Sequence, residues 1–234
     1  RLRGDDALAQ QVTFTGAKPP ERLNLARYCL AEKPAEKTAL IVEDATAERW
    51  SYGALEDTVL RMAEGLRRRG VEPGMRMFIR MGNSLYYALV FLSANAMGAI
   101  PIAASPMLTQ REVASLVTFS GARFLAWDGV LALPDVDDVS VLSPQDIATL
   151  KTCFAGTYAD TAAEDAGYMI FTSGTSGAPK GVLHAQRAIW GRRPMYEGWY
   201  GISPSDVMLH TGAFNWTYTL GTGLFDPFAN GSTS

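Results

Sequence analysis

Apolar side chains in the first third of the chain follow two different spacings. The ranges Thr38–Glu43 and Glu48–Tyr52 are rich in β-branched and aromatic residues, which predicts two short strands joined by a turn. Between Leu55 and Leu66, apolar residues recur every three or four positions, the spacing of an amphipathic helix. Ser51 can cap the start of this helix and Gly70 can end it, so the pattern predicts a strand pair followed by a helix.

The alternation of strands and helices continues through the middle of the chain. In order, the sequence predicts a strand over Met75–Met81, a helix over Ser84–Asn95, a strand over Ala99–Ala103, a helix from the capping box Thr109–Glu112 to Gly121 and a strand over Arg123–Trp127. Strands that alternate with helices are typical of a mostly parallel sheet covered by helices. The stretch 128–166, with its prolines and scattered Asp and Ser, predicts surface strands and loops.

The last third of the chain predicts further strands and one longer helix. These are strands over Ala166–Thr172 and Gly181–Ala185, a helix over Gln186–Tyr200 that kinks or ends at Pro194, and a strand over Val207–Leu209. The final residues, 230–234, have the pattern of the entrance to another buried strand. The predicted fold class is therefore α/β, with mostly parallel, helix-covered sheets.

Composition and charge exclude several classes of protein. Of 234 residues, 47% are hydrophobic and 19% are charged, which is enough apolar material for a large core. The net charge of −3 leaves no basic surplus, so we expect no nucleic-acid partner. Cys29 and Cys153 do not make a disulfide framework, and we expect a cytoplasmic location. The uncharged stretch Met81–Gln110 is broken by glycine, asparagine and proline, so we expect no membrane span.

The stretch Phe171–Gly181, FTSGTSGAPKG, concentrates glycines, hydroxyl side chains and one lysine between two predicted strands. A Walker loop opens a helix and has Ser or Thr after its lysine, whereas here Gly181 follows Lys180. Gly174 and Gly177 nevertheless allow backbone N–H groups to converge on an anion, and the hydroxyls and the lysine add donors. From these residues alone, a phosphate cradle and a plain hairpin turn both remain open.

This stretch resembles the signature [YF]-T-S-G-[ST]-[ST]-G-x-P-K-G of the adenylate-forming superfamily, which includes acyl-CoA synthetases, peptide-synthetase adenylation domains and luciferases. Every fixed position matches. The segments WSYGAL, GVEPGMRMFIRMGNS and ANAMGAIPIAASPML also resemble family segments, in the family's order. Met75 departs mildly from the aspartate that is common at its position. The resemblance begins near residue 22 and extends over the first half of a family member.

The resemblance implies a two-step reaction with ATP and coenzyme A as co-substrates. A carboxylate attacks the α-phosphorus of ATP to give an acyl-adenylate and pyrophosphate, and a thiol, usually that of coenzyme A, then displaces AMP. The residues that match the family's phosphate-binding motif are Thr172, Ser173, Gly174, Thr175, Ser176, Gly177 and Lys180. Catalytic roles are assigned to Lys180 and Thr175, because the departing pyrophosphate must be oriented and its charge neutralised.

A second stretch, 207–223, resembles the acyl-pocket segment of benzoate-type and medium-chain acyl-CoA ligases. The residues that this resemblance assigns to the carboxylic acid substrate are His210, Trp216, Thr217, Tyr218 and Gly221, with Tyr218 facing the acid. Ordinary core packing remains an open interpretation of the aromatic residues, and for His210 a structural role is favoured over a catalytic one. No acidic residue lies between His210 and Leu224, which favours a plain carboxylic acid over the amino acid of a peptide-synthetase domain.

Some family elements are not found in this sequence. They include the aromatic-Gly-x-Thr-Glu loop whose glutamate would bind Mg²⁺, the ribose-binding aspartate and the C-terminal lid domain, so no metal ligand is assigned here. We expect residues 1–234 to form the N-terminal part of the AMP-binding domain. A first α/β subdomain is predicted over about 22–165, and the phosphate loop with the start of a second subdomain over 166–234. An inactive folded fragment that binds polyphosphate weakly is the alternative for the isolated chain.

Overall fold

The computed structural model describes residues 16–43, 47–172 and 179–234. Six strands in these ranges form one sheet in the order β6-β5-β3-β4-β7-β8, in which the first five run parallel and β8 is antiparallel to β7. The strands are β1 Thr38–Ile41, β2 Arg49–Ser51, β3 Arg76–Arg80, β4 Ile100–Ala103, β5 Phe124–Trp127, β6 Ser140–Leu142, β7 Ala166–Thr172 and β8 Lys180–Ala185. The predicted α/β class with a mostly parallel sheet is confirmed.

The helices connect these strands and cover the sheet. They are α1 Leu25–Leu30, α2 Tyr52–Arg68, α3 Leu85–Ala96, α4 Gln110–Ser120, α5 Pro144–Leu150, α6 Ala188–Gly191, α7 Arg193–Met195, α8 Thr217–Leu220 and α9 Asp226–Asn230. Two π-helical turns, Tyr196–Tyr200 and Gly221–Phe225, follow α7 and α8. The described ranges contain no helix with both the length and the apolar character needed to cross a bilayer.

Alternate residues of the strands enter two separate cores. Met77 and Ile79 of β3 lie in the larger core, where they join the buried faces of α1, α2 and α3. Phe78, between them, lies in the smaller core under α4. Because successive side chains of a strand point to opposite faces, this alternation places helices on both sides of the sheet.

Local signals in the sequence set the ends of the long helices. The side chain of Ser51 accepts a hydrogen bond from the backbone N–H of Ala54 at the start of α2. Thr109 and Glu112 form the predicted capping box of α4, and Gly121 ends that helix in the left-handed region with φ of 65°. The caps supply partners for backbone N–H groups that an isolated helix end would leave unpaired.

The strands β1 and β2 form a separate antiparallel pair, as predicted. The last residue, Ser234, extends this pair, because its N–H donates to Ala39 and its carbonyl accepts from Ile41. Thr233 also forms an isolated parallel bridge with Val207. The strand predicted over Val207–Leu209 is wrong in extent, since it is reduced to this one bridge in the described residues.

The prediction of only surface strands and loops over 128–166 is incomplete. This stretch contains β6 and the helix α5, in which Ser143 and Asp146 form a second capping box and Pro144 occupies the first turn. Proline is tolerated there because that turn has no partner for its N–H. The sequence S-P-x-D carried this signal.

The helix predicted over Gln186–Tyr200 is broken, and a helix that was not predicted follows it. Pro194 has no N–H to donate, so α6 and α7 are separate short turns before the π-helical turn at Tyr196–Tyr200. From Thr217 to Asn230 the chain is helical throughout, although Gly221 and Pro227 lie within it. Gly221 has helical backbone angles, with φ of −68°, and Pro227 occupies the first turn of α9.

The division of the chain at 165/166 remains a prediction. β7 follows this boundary and pairs in parallel with β4, and β8 extends the same sheet. The phosphate-loop strands therefore belong to the sheet that starts with β3.

Candidate functional site

Two strands carry the predicted phosphate-binding stretch to one edge of the sheet. β7 and β8 pair antiparallel, and their last register pair joins Thr172 to Lys180. Both residues are exposed. Thr172 and Lys180 are therefore neighbours across the two strands, and their hydroxyl and ammonium are both groups that bind phosphate oxygens.

Five of the predicted phosphate-binding residues cannot be placed. Ser173, Gly174, Thr175, Ser176 and Gly177 lie outside the described residues. Their assignments, including the catalytic role of Thr175, remain predictions.

The aromatic residues of the second stretch divide between surface and core. Trp216 and Tyr218 are 66% and 56% exposed, so neither is an ordinary core residue in the described part of the chain. Phe214 is partly buried and stacks on the buried ring of Tyr87, with 5.3 Å between ring centroids. Thr217 begins α8 directly after Trp216. Trp216, Thr217 and Tyr218 thus stand at the start of one helical turn.

His210 lies beside Tyr218, and a hydrogen bond orients its ring. Its Nδ1 accepts a hydrogen bond from the backbone N–H of Gly212 at 3.1 Å. A ring nitrogen that accepts carries no proton, so the neutral ring carries its proton on Nε2. The ring of Tyr218 meets the His210 ring edge-on, with 5.7 Å between centroids. His210 can therefore offer an Nε2–H donor beside an exposed aromatic ring.

Asn83 ties this segment to the first half of the chain. Its side-chain Nδ2 donates to the carbonyl of Gly212 at 2.7 Å, and its Oδ1 accepts from the N–H of Phe214 at 3.0 Å. This pair of bonds imitates the pairing of a neighbouring strand. The stretch 210–214 is thereby fixed to the loop between β3 and α3.

A cavity of about 360 Å³ opens between β1, the start of α3 and the 208–214 segment. Its wall includes Asn83, His210, Phe214 and Gly223. The predicted pocket residues Trp216, Thr217, Tyr218 and Gly221 are not among its lining residues, so the structure brings only His210 of the predicted set to this cavity.

Gly221 is in contact with a buried ion pair. A side chain at this position would place its Cβ 2.1 Å from Nη2 of Arg192 and 2.2 Å from Cζ. Arg192 in turn forms a salt bridge with Asp226, whose side chain is fully buried. The space beside Gly221 is thus filled by arginine, and its role in substrate binding remains a prediction.

The ion pair affects a neighbouring aromatic pair. His184 of β8 stacks on Tyr168 of β7 with 4.5 Å between centroids and only 7° between ring planes. Burial, and then the positive charge of Arg192, lower the pKa of His184. Burial raises the pKa of Tyr168 to about 12, which the charge of Arg192 partly opposes. His184 therefore packs as a neutral ring against Tyr168.

Metal ligands do not cluster in the described ranges. No group of three or more His, Cys, Asp and Glu side chains there could hold a metal ion. Thr172 and Lys180 fit the phosphates of ATP, but the described residues offer no carboxylate set for Mg²⁺.

Sequence reasoning missed Asn83, Arg192 and Asp226. Asn83 looks like an ordinary loop residue, and Arg192 lies among other arginines. Asp226 gave the better signal, because it is a lone charge in the apolar run Leu220–Ala229. A charge in such a run needs a buried partner, which we could have sought among the nearby arginines.

Comparison with known proteins identifies relatives of this arrangement. The AMP-binding enzyme family matches residues 27–234. The chain is 29% identical over 201 residues to 4-coumarate–CoA ligase 5 of Oryza sativa subsp. japonica, covering 78% of this chain and 37% of that protein. It is 27% identical over 220 residues to 3-hydroxybenzoate–CoA ligase of Aromatoleum sp. (strain CIB), covering 87% and 42%.

A solved structure agrees with these relatives. The benzoate CoA ligase of Burkholderia xenovorans LB400 superposes with a TM-score of 0.78 at 26% identity, covering 90% of this chain and 44% of that chain. The chain thus spans about two fifths of the length of the relatives it matches. Because the family match extends over most of its residues, the chain belongs to the AMP-binding enzyme family.

Proposed function

We propose that the whole protein that contains this chain is an AMP-forming acid–thiol ligase. It activates a carboxylic acid with ATP to an acyl-adenylate and transfers the acyl group to coenzyme A. The observation that carries this proposal is the family match over 27–234, together with relatives that are CoA ligases.

The β7–β8 hairpin is the proposed site for the phosphates of ATP. Lys180 neutralises the charge that develops on the departing pyrophosphate, and Thr172 donates from the opposite strand. Ser173, Gly174, Thr175, Ser176 and Gly177 complete the cradle in this proposal. Mg²⁺ accompanies ATP in this proposal, and none of the described residues is assigned to it as a ligand.

The exposed aromatic residues Trp216 and Tyr218 form the proposed site for the carboxylic acid. The ring of Tyr218 is 56% exposed, and the ring of His210 lies beside it with 5.7 Å between centroids. These features suit a planar acid, because aromatic rings pack edge-on or offset against one another. The named relatives act on hydroxybenzoate and coumarate, which supports an aryl acid as the substrate class.

Pyrophosphate release with a panel of acids tests the proposal. The panel comprises benzoate, 3-hydroxybenzoate, 4-coumarate, a medium-chain fatty acid and malonate, each with ATP and Mg²⁺. We expect release with at least one aryl acid. Release with no acid of the panel would contradict the proposed reaction.

Lys180→Ala tests the role of the hairpin in the same protein. We expect adenylate formation to slow about 100-fold, because one electrostatic contact to the transition state is lost. Thioester formation from supplied acyl-adenylate should change much less. The matched control is Lys18→Ala, which removes an exposed lysine near the start of the sequence, distant in sequence from Lys180. Equal losses in both half-reactions would remove Lys180 from the phosphate site.

An alternative concerns the 234 residues alone. They span only about two fifths of the relatives' length, which favours a folded unit that binds polyphosphate weakly and catalyses nothing by itself. ATP–pyrophosphate exchange by the isolated chain would refute this alternative.

A further inference from the structure

Arg192 and Asp226 form a buried, bidentate ion pair. Nε of Arg192 donates to Oδ1 of Asp226 at 2.6 Å, and Nη2 donates to Oδ2 at 2.6 Å. The side chain of Asp226 is fully buried and that of Arg192 is 16% exposed. Nη2 also donates to the hydroxyl of Tyr200 at 3.3 Å. Two parallel bonds between planar groups set both a distance and an angle.

The backbone at Gly221 holds the arginine from a second direction. The guanidinium lies so close to this glycine that a methyl group there would overlap it. Gly221 and Asp226 are both part of the helical stretch Thr217–Asn230, at the two ends of its π-helical turn. Arg192 therefore contacts this stretch at two positions, which fixes the register of the stretch relative to Arg192.

This ion pair connects the segment that follows β8 to the helical stretch Thr217–Asn230, and we propose different functions for these two segments. Arg192 follows β8, the strand that begins with Lys180. Asp226 closes the π-helical turn that follows Tyr218 and α8. Between them, Phe225 packs edge-on against Tyr168 of β7, with 5.4 Å between centroids. The hydrophobic part of this contact is non-directional, whereas the bidentate pair of charges requires one relative orientation.

We propose that Arg192 and Asp226 are positioning residues that set the register of the Thr217–Asn230 helical stretch against β7 and β8. They thereby fix the distance between Tyr218 and the β7–β8 hairpin, the proposed site for the phosphates of ATP. The link to Tyr218 rests on the acid-activating function proposed above, whereas the register itself does not. A buried ion pair contributes little to stability compared with apolar residues of similar volume, so orientation is the role that we assign to this pair.

The double variant Arg192→Met/Asp226→Leu separates positioning from stability. Replacing both charges leaves no buried charge unpaired, so the thermal midpoint should stay within about 4 °C of the wild type. We expect hydrogen exchange in peptides covering 217–225 to speed up about tenfold, since the register is no longer fixed. In the activity assay, the KM for the acid should rise about tenfold or more while the KM for ATP changes less than about twofold.

A matched control removes an exposed pair of the same kind. Arg187 and Glu164 form a 2.6 Å bridge with side chains 50% and 72% exposed, and Arg187→Met/Glu164→Leu should change neither exchange in 217–225 nor either KM. Gly221→Ala is a second test, because its methyl group displaces the guanidinium without removing a charge. It should give the same changes in hydrogen exchange and in the two KM values as the double variant, but with a lower thermal midpoint, because Asp226 stays buried without its partner.

Defined outcomes overturn the proposal. Unchanged exchange in 217–225 in both the double variant and Gly221→Ala would do so, as would equal rises in the KM for acid and for ATP. If the double variant does not fold, Gly221→Ala decides. If the wild type activates no acid, the proposed function fails, and the exchange measurement alone decides whether the pair sets the register.

Discussion

Gly212 lies at a bend that leaves no room for a side chain. An added Cβ would lie 2.4 Å from Oγ1 of Thr219 and 2.8 Å from Cε1 of His210. Asn83 stabilises this bend, because its side chain bonds the carbonyl of Gly212 and the N–H of Phe214 at the same time. The position of the His210 ring therefore depends on the absence of a side chain two residues away.

Gly212→Ala should destabilise the protein by about 1–3 kcal/mol, because the buried Thr219 or the packed His210 ring must shift. Urea denaturation followed by circular dichroism measures this loss. Gly198→Ala is the control, since an added Cβ there meets no atom within 4 Å and the position is exposed. A loss at Gly198 as large as that at Gly212 would contradict this account of the bend.

His184 should make stability depend on pH. Its pKa in the folded state is lowered from the usual 6.5, by burial first and by the charge of Arg192 second. As pH falls below about 6.5, the unfolded state takes up a proton that the folded state does not, so the free energy of unfolding decreases. Above that pH the ring is neutral in both states and contributes no pH dependence.

His184→Phe removes this dependence and keeps a ring to stack on Tyr168. We expect the stability of the wild type to fall relative to the variant between pH 7.5 and pH 5.5, as measured by urea denaturation at each pH. The carboxylates titrate in both proteins, so their effect cancels in the difference. Parallel pH curves for the two proteins would show that His184 does not carry this effect.

At the scale of single elements, capping residues set the boundaries of the helices. In α4, the Thr109 hydroxyl accepts from the N–H of Glu112, and a Glu112 carboxylate oxygen accepts from the N–H of Thr109. The hydrogen bonds from Thr109 lower the pKa of Glu112, so the carboxylate form of this box is favoured.

Thr109→Ala should lower the free energy of unfolding by about 1 kcal/mol, the usual cost of losing a side-chain cap. Thr118→Ala, an exposed change near the other end of α4, is the control and should cost less. Thermal denaturation of both variants gives the comparison. Equal midpoints for the two would mean that the box does not stabilise α4.

The elements that could be predicted from sequence are those whose signals are local. The cap at Ser51, the capping box of α4 and the strands β3, β4 and β5 follow from spacing and caps within a few residues. The helical stretch Thr217–Asn230 could not be predicted, because Gly221 and Pro227 normally interrupt helices. Gly221 is helical here, and Arg192, distant in sequence, fills the space where a side chain at this position would lie.

The same distinction applies to the site. The motif around Lys180 is continuous in sequence and could be recognised directly. The contacts of Asn83 with Gly212 and Phe214 join residues about 130 positions apart, and the pair of Arg192 with Asp226 joins residues 34 positions apart. Such pairs depend on the folded arrangement and leave no spacing in the sequence to detect.

At the scale of the whole molecule, the sheet of the described residues has an exposed edge at β8. Val182 and Leu183 on this strand are 38% and 48% exposed. A long edge strand with apolar side chains is a template for pairing with another chain. The isolated 234 residues should therefore associate as their concentration rises.

Leu183→Lys should reduce this association, because a charge on an edge strand opposes pairing between copies. Light scattering over a concentration series measures it. Val130→Lys, at an exposed loop position, is the control for added charge alone. If both variants reduce scattering equally, net charge and not the β8 edge is responsible.

The register pair of Thr172 and Lys180 also has an evolutionary consequence. The two ends of the phosphate stretch are neighbours across a hairpin, about one strand spacing apart, and are held by the sheet. Lengthening a loop whose ends are already joined costs little, about 0.6 kcal/mol for each doubling of its length. A change in length or sequence between these two residues therefore costs the sheet little stability. Selection can alter the chemistry of this stretch independently of the stability of the fold that carries it.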